Sequence, residues 1–387
     1  MNKNIILALG LTATLFASCK KDKDDPIPME IPYGSLTATT DYFATFKDSS
    51  NNTTVDFSGQ TTRIKMMKEM DAYMKTALTS TVDAGILRNM FFNENSPFTN
   101  PDLNAATDKK IAAKTAQSFG AAGAGAEQQL FLDYFDALSA ASAHHGDSAK
   151  QGIPGHLDGK YIVDAKGFEY AQFIQKGLIG AMMLDQISNI YLGTEKQSAD
   201  NNTLVSGKNY TQLEHHWDEA YGYLTSNAYY PMKDPNDATK WLESYLGSYV
   251  RQVGSPYGNP QDVYMAFLKG RAAIVNNDNT TRTQQITAIR TALEKAVATV
   301  AVSYLNKTKS ASSNGARFHA LSEGVGFIYS LRYAYAPKID KAKSDALLDI
   351  LMNKQDGFWS LTNADLDSVR NQIADAFGID REAIVNH

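Results

Sequence analysis

The feature that most constrains the fold is a repeated spacing of apolar residues at three- and four-residue intervals. In the stretch TTRIKMMKEMDAYMKTAL, Ile64, Met67, Met70 and Met74 fall on one face of a helix. The same period recurs in AEQQLFLDYFDALSA, GFEYAQFIQKGLIGAMMLDQISNIYL, TRTQQITAIRTALEKAVATVAVSYL and NADLDSVRNQIADAF. No run shows the sustained two-residue alternation that is typical of a strand. The sequence therefore predicts an all-α protein.

The length of the chain and its loops indicate how the helices are grouped. A chain of 387 residues can bury a sizeable core, and loops rich in Gly, Pro, Asn and Asp separate the helical stretches. Helices connected in this way most naturally form bundles. We therefore expect two stacked helical bundles, 60–230 and 231–387, related by an internal pseudo-repeat.

The N-terminus has the pattern of an exported lipoprotein. In MNKNIILALGLTATLFASC, a lysine precedes an apolar run that is too short to span a bilayer, and small residues precede Cys19. The ending Phe-Ala-Ser-Cys resembles a lipobox, in which the cysteine is acylated. We interpret 1–19 as a lipoprotein signal peptide and 20–59 as a tether followed by an irregular segment. The expected location is the cell envelope, as an outer-membrane lipoprotein that is either periplasmic or surface-exposed, with the lipid membrane as a partner through Cys19.

Charge and cysteine content exclude several classes of function. The formal net charge is −5, and no long Lys/Arg stripe interleaved with aromatic residues occurs, which argues against nucleic acid as a partner. Cys19 is the only cysteine, so neither an intrachain disulfide nor a cysteine-based metal site can form.

One short pattern, His-x3-Glu-x2-Gly-aromatic, occurs twice in the chain. It falls on His215, Glu219, Gly222 and Tyr223, and again on His319, Glu323, Gly326 and Phe327. Residues three and four apart share a helix face, so each histidine can lie beside its glutamate. The glycine one turn further allows a neighbouring helix to approach closely, in spite of its low helix propensity. The recurrence indicates an ancient duplication.

Imidazole and carboxylate groups together are ligands of iron, zinc and copper, so the pattern predicts a metal site. The candidate ligands are His216, Glu219, His319, Glu323 and, as an alternative to His216, His215. We expect the two helices to face each other so that their pairs converge on one ion. The other interpretation, an ion pair or a hydrogen-bonded pair on each helix, stays open.

Two further polar residues lie one turn apart in the stretch GFEYAQFIQ. Glu169 and Gln172 are candidate ligand-binding groups that would face the same cleft. A hydrogen-bonded pair on the surface of the helix would show the same spacing.

Several stretches resemble a known family. HHWDEAYGY, SEGVGFIYSLRY, SGQTTRI and the lipoprotein start are similar to the DUF4856 family of Bacteroidetes lipoproteins, over nearly all of the mature chain. More distantly, the chain resembles the imelysin-like proteins, whose fold is two four-helix bundles related by a pseudo-repeat. Their motif, Gly-x-His-x-x-Glu, falls on His216 and Glu219, with Glu214 in place of the glycine. The internal repeat favours His215 instead.

The resemblance implies a lipid-anchored envelope protein that binds iron, another divalent metal or haem for uptake, with an outer-membrane uptake receptor as a candidate partner. The alternatives are an imelysin-type metallopeptidase and a carbohydrate-binding protein. A His-Glu-x-x-His peptidase needs a second histidine one turn on, but Ala220 follows His216 at that distance. The motifs of serine hydrolases, nucleotide-binding loops and dinucleotide-binding folds are also missing from the sequence. Binding is therefore favoured over catalysis.

Overall fold

The computed structural model describes residues 30–385, and the regular secondary structure within them is almost entirely helical. The predicted signal peptide, Cys19 and the first part of the tether lie outside the described residues. The helices are α1 (Tyr42–Thr45), α2 (Ser58–Lys75), α3 (Ala84–Phe92), α4 (Pro101–Ala105), α5 (Gly120–Ser142), α6 (Tyr170–Leu178), α7 (Thr194–Gln197), α8 (Gln212–Leu224), α9 (Tyr245–Gln252), α10 (Pro260–Val275), α11 (Asn279–Ser310), α12 (Asn314–Ser330), α13 (Lys341–Met352) and α14 (Asn363–Phe377). None of these helices is long and apolar enough to cross a membrane.

Strand structure is confined to two small antiparallel hairpins among the described residues. One pairs β1 (Gly155–Leu157) with β2 (Tyr161–Val163), and the other pairs β3 (Lys233–Asp234) with β4 (Asp237–Trp241). The prediction of an all-α protein is confirmed.

A long buried helix, named the central helix, spans residues 170–191. It begins as α6 and continues through two π-helical segments, Ile179–Leu184 and Gln186–Tyr191. Most of its side chains are buried, including the polar Lys176, Asp185 and Gln186, so other elements cover it on most sides. It packs against α12 along its N-terminal half and against α8 at its C-terminal end. The central helix therefore connects the two helices that carry the repeated pattern.

The helices α10, α11 and α12 pack in sequence order, and α11 also contacts α14. The spacing of Thr281 and Gln284 suggests that a capping box begins α11, but this is wrong. The helix starts at Asn279, and the Asp278 side chain caps it by accepting a hydrogen bond from the Thr281 amide. Any of several polar residues in this stretch can serve as the cap, and tertiary contacts select one of them.

The buried apolar side chains form one continuous core through the described residues. It includes the predicted methionine stripe of α2, where Met67, Met70 and Met74 are all buried. The boundary between two bundles at residue 230 stays a prediction.

Candidate metal centre

The stretch LEHHWDEAYGYL forms α8, and its start is fixed by a capping box. The Thr211 hydroxyl accepts a hydrogen bond from the Glu214 amide, and the Glu214 carboxylate accepts one from the Thr211 amide. The spacing Thr-x-x-Glu is a sequence signal for this arrangement that our sequence analysis missed. With the register of α8 fixed in this way, its polar residues divide between two faces.

One face of α8 forms an ion-pair network around two fully buried side chains. The Arg271 guanidinium of α10 donates through Nε to Asp218 Oδ1 at 3.0 Å and through Nη1 to Glu214 Oε1 at 2.7 Å. The Tyr42 hydroxyl donates to the same Asp218 oxygen at 2.8 Å. Arg271 and Asp218 are both 0% exposed. This face holds α8 against α10 and serves packing.

The other face carries both histidines and Glu219. His216 Nδ1 lies 3.2 Å from Glu219 Oε2, and His215 Nε2 lies 3.8 Å from the same oxygen. The other carboxylate oxygen, Oε1, accepts hydrogen bonds at 3.0 Å from the Tyr191 hydroxyl and from the Gln60 side-chain amide. The carboxylate is thus held on one side and faces two imidazoles on the other.

The imidazoles are held in place and retain partial access to solvent. Tyr210 stacks on His215 with ring centroids 4.8 Å apart, and the Gln212 amide lies 3.2 Å from His216 Nε2. The exposed fractions of the side chains are 23% for His215, 11% for His216 and 17% for Glu219. Burial alone would raise the pKa of Glu219, but the hydrogen bond to His216 and its other polar contacts lower it, so the carboxylate stays charged.

The second copy of the pattern, on α12, has different partners. His319 Nδ1 lies 2.7 Å from Glu169 Oε2, and its Nε2 lies 3.7 Å from Glu323 Oε2. The other oxygen of Glu323 pairs with Lys176 Nζ at 2.8 Å. Lys176 also donates to Gln172 Oε1 at 3.1 Å. The predicted ligand-binding residues Glu169 and Gln172 are therefore parts of a network of two carboxylates, an ammonium, an imidazole and the Gln172 amide.

The surroundings of the two patterns share two contacts in spite of these differences. A tyrosine stacks on each histidine: Tyr210, just before α8, stacks on His215, and Tyr161 of β2 stacks on His319. A tyrosine from the preceding long helix also binds each glutamate: Tyr191 of the central helix binds Glu219, and Tyr304 of α11 binds Glu323. The two motif helices therefore share a tyrosine stacked on the histidine and a tyrosine that contacts the glutamate, but differ in their charged partners.

The pattern glycines also have the expected role. A Cβ at Gly222 would lie 2.6 Å from Phe57 Cβ, at the start of α2, and one at Gly326 would lie 2.5 Å from Lys176 Cβ in α6. The prediction that these glycines allow close helix contacts is confirmed.

The two pairs do not meet, in contrast to the expectation that they converge on one ion. Glu219 contacts Tyr191 at the C-terminal end of the central helix, whereas Glu323 contacts Lys176 near its N-terminal end. Lys176 and Tyr191 are separated by roughly four helical turns, on the order of 20 Å. The sequence could not place them because the distance depends on how α8 and α12 dock on the central helix.

The distances between the polar atoms of α8 can be compared with those between the ligands of a metal ion. Ligand atoms bound at about 2.1 Å and 90–110° apart lie about 3.0–3.4 Å from each other. The separation of His216 Nδ1 and Glu219 Oε2, 3.2 Å, is in this range, and that of His215 Nε2 is 3.8 Å. Within residues 30–385 no group of three or more His, Cys, Asp or Glu side chains is arranged so that it could hold a metal ion. Binding of one ion by all three groups of α8 would require His215 to move closer to Glu219.

The fold and site define an all-α protein in which a buried central helix contacts two copies of a His–Glu helix, and the glutamate of each copy contacts a tyrosine of a long helix earlier in the chain. The chain belongs to the DUF4856 family, described as a domain of unknown function, whose model matches residues 41–380. No curated protein and no solved structure gives a significant match.

Proposed function

We propose that the protein binds a divalent metal ion through His215, His216 and Glu219. The observation that supports this is the position of Glu219 Oε2, which lies 3.2 Å and 3.8 Å from one nitrogen of each imidazole. Tyr191 and Gln60 occupy the other oxygen and orient the carboxylate, as hydrogen-bond partners of metal ligands commonly do. Two imidazoles and one carboxylate suit iron or zinc and leave coordination positions for water or another ligand.

The contacts favour α8 over α12 as the location of the ion. At α12 the Lys176 ammonium pairs with Glu323, so a positive charge already lies where an ion would bind that carboxylate. The two nitrogens of His319 lie against two different carboxylates, and a single ion cannot contact both sides of one ring. We therefore assign His319, Glu323 and Glu169 to packing, although the sequence pattern suggested a shared site.

In the cell, we propose that this metal centre serves metal acquisition on an envelope lipoprotein. Support comes from the lipobox-like ending at Cys19 and the charged tether that follows it. The three donors lie within one turn and a half of a single helix, which suits a bare ion better than a haem.

The metal centre predicts a large loss of affinity when its carboxylate is removed. In Glu219→Gln and in the double variant His216→Ala/Glu219→Ala, we expect the affinity for Zn²⁺ or Fe²⁺ to fall at least about 100-fold, because a charged ligand is lost. Isothermal titration calorimetry measures this, and circular dichroism checks that helicity is kept. His319→Gln is the matched control from the second copy and should bind like the wild type. Unchanged affinity in the double variant would reject the site.

The proposed lipid anchor at Cys19 leads to a second prediction, which does not depend on the metal centre. Mature protein from its native host should begin at an acylated Cys19, and the Cys19→Ala variant should move from the membrane fraction to the soluble fraction, since two or more acyl chains are needed for stable anchoring. Mass spectrometry of the mature N-terminus and fractionation test this. Cleavage at another position, or a Cys19→Ala variant that stays with membranes, would contradict it.

A further inference from the structure

Two basic side chains lie beside the proposed metal ligands without a carboxylate of their own. Arg63 of α2 is 6% exposed and donates to two backbone carbonyls, through Nε to Lys110 at 3.1 Å and through Nη1 to Gly59 at 3.2 Å. No carboxylate oxygen among residues 30–385 lies within ion-pair distance of its guanidinium. Asp108 interacts with Arg63 only at longer range. A buried guanidinium without a directly paired carboxylate is costly, which indicates that something is missing from its surroundings.

Lys114 is the second of these cations. Its Nζ lies over the ring of Tyr191, 5.4 Å from the centroid, and Tyr191 is the residue that binds Glu219. Burial and the charge of Arg63 lower the pKa of Lys114, while Glu219 opposes this effect. In the described part of the chain no carboxylate pairs with it directly. The charges of Arg63 and Lys114 therefore both lie near the proposed metal ligand Glu219.

A third group near these cations has no hydrogen-bond partner. The Tyr223 side chain is 1% exposed, one turn after Glu219 on the same face of α8, and its hydroxyl has no hydrogen-bond partner within 3.5 Å among the described residues. Burial raises the pKa of Tyr223, while the charge of Arg63 and a long contact with its guanidinium lower it. A buried hydroxyl without a partner costs about 1–3 kcal/mol unless a bound group satisfies it.

From these contacts we infer that the metal ion is bound together with a small oxyanion, held by Arg63, Lys114 and the Tyr223 hydroxyl. The inference rests on the proposed metal centre. A divalent ion with two neutral imidazoles and Glu219 would add to the charges of Arg63 and Lys114, leaving an excess of three positive charges in a largely buried site. Such an excess strongly disfavours binding of the ion unless an anion enters with it. Carboxylates, bicarbonate and sulfate share the required chemistry, a negative charge and several acceptor oxygens.

The experiment compares Zn²⁺ affinity in four buffers of equal ionic strength that contain chloride alone, acetate, bicarbonate or sulfate. The wild type should bind Zn²⁺ at least tenfold more tightly in one of the oxyanion buffers than in chloride, and the effective buffer identifies the anion. Lys114→Met should remove this enhancement and also strengthen binding in chloride, because it removes a repelling charge. Lys110→Met is the matched control, since Lys110 lies in the same loop but pairs with Glu94 at the surface. Its behaviour should match the wild type.

The results of this experiment distinguish the bound oxyanion from the metal centre itself. Equal Zn²⁺ affinity of the wild type in all four buffers overturns the oxyanion and leaves the metal centre intact. An enhancement that persists in both Lys114→Met and Arg63→Met also overturns it, because the anion would then bind elsewhere. If no buffer supports Zn²⁺ binding, the metal centre itself is rejected, and the oxyanion with it.

Discussion

Replacing Arg271 by methionine is expected to lower the free energy of unfolding by about 3–5 kcal/mol, the cost of removing one partner from a buried ion pair. The variant keeps much of the side-chain volume but leaves Asp218, which is 0% exposed, and Glu214 without their cation. Urea denaturation measures the change. Lys269→Met, two residues earlier on the half-exposed side of α10, is the control and should change stability by less than about 1 kcal/mol.

The same variant should show a distinct dependence on pH. Burial raises the pKa of Asp218 to about 7 even though Arg271 opposes this. A carboxyl whose pKa is higher in the folded state binds its proton more readily when folded, so lowering the pH from 8 towards 5 favours the folded state. Without Arg271 the protonated form is favoured further, and the deficit of Arg271→Met should be smaller at pH 5.5 than at pH 8. A deficit below 1 kcal/mol at both values would show that Arg271 is dispensable.

Replacing Lys176 by methionine should lower the free energy of unfolding by about 3 kcal/mol or more, for the same physical reason. The side chains of Lys176 and Glu323 are 4% and 10% exposed, so the variant leaves a buried carboxylate without its main cation. Burial disfavours the charged form of Lys176, but Glu323 outweighs it and raises the Lys176 pKa above its usual value. The control is Lys307→Met, since Lys307 interacts with Glu323 only at longer range and should contribute less than about 1 kcal/mol.

The loss of stability in Lys176→Met should depend on pH because of His319. Burial by itself lowers the pKa of His319, but the hydrogen bond and charge of Glu169 raise it overall. The stabilisation from the imidazolium is therefore complete below about pH 6.5 and is lost as the pH rises through the higher folded-state pKa. In Lys176→Met the imidazolium is the nearest remaining cation to Glu323, so the stability deficit should grow between pH 6 and pH 8.5. A deficit that stays constant over this range would mean that His319 does not compensate.

The helical content and the local pairs could be read from the sequence because they depend on residues close together in the chain. The methionine stripe of α2 is buried as its period predicts, and His215 and His319 each lie beside the glutamate four residues later. Such contacts follow from 3.6 residues per turn and need no knowledge of the rest of the fold. The close-contact role of Gly222 was predictable on the same basis.

The residues from other helices that contact these His–Glu pairs could not be predicted from helical spacing. Lys176 reaches Glu323 from a helix far away in the sequence, and Gln60 reaches Glu219 from α2. The pattern is the same in both copies. The Lys176 ammonium nevertheless pairs with Glu323, whereas the neutral side-chain amide of Gln60 donates to Glu219. Nothing within either motif specifies this difference.

The sequence by itself determined an all-α chain, two equivalent His–Glu helices and the faces on which their side chains lie, because helical periodicity is a local property. Only the tertiary structure decided that α8 and α12 pack at opposite ends of the central helix. It also decided that Asp218 pairs with Arg271 and that both imidazoles of α8 lie beside the same oxygen of Glu219. These outcomes depend on packing between segments that are remote in sequence, where burial and the pairing of charges are settled together.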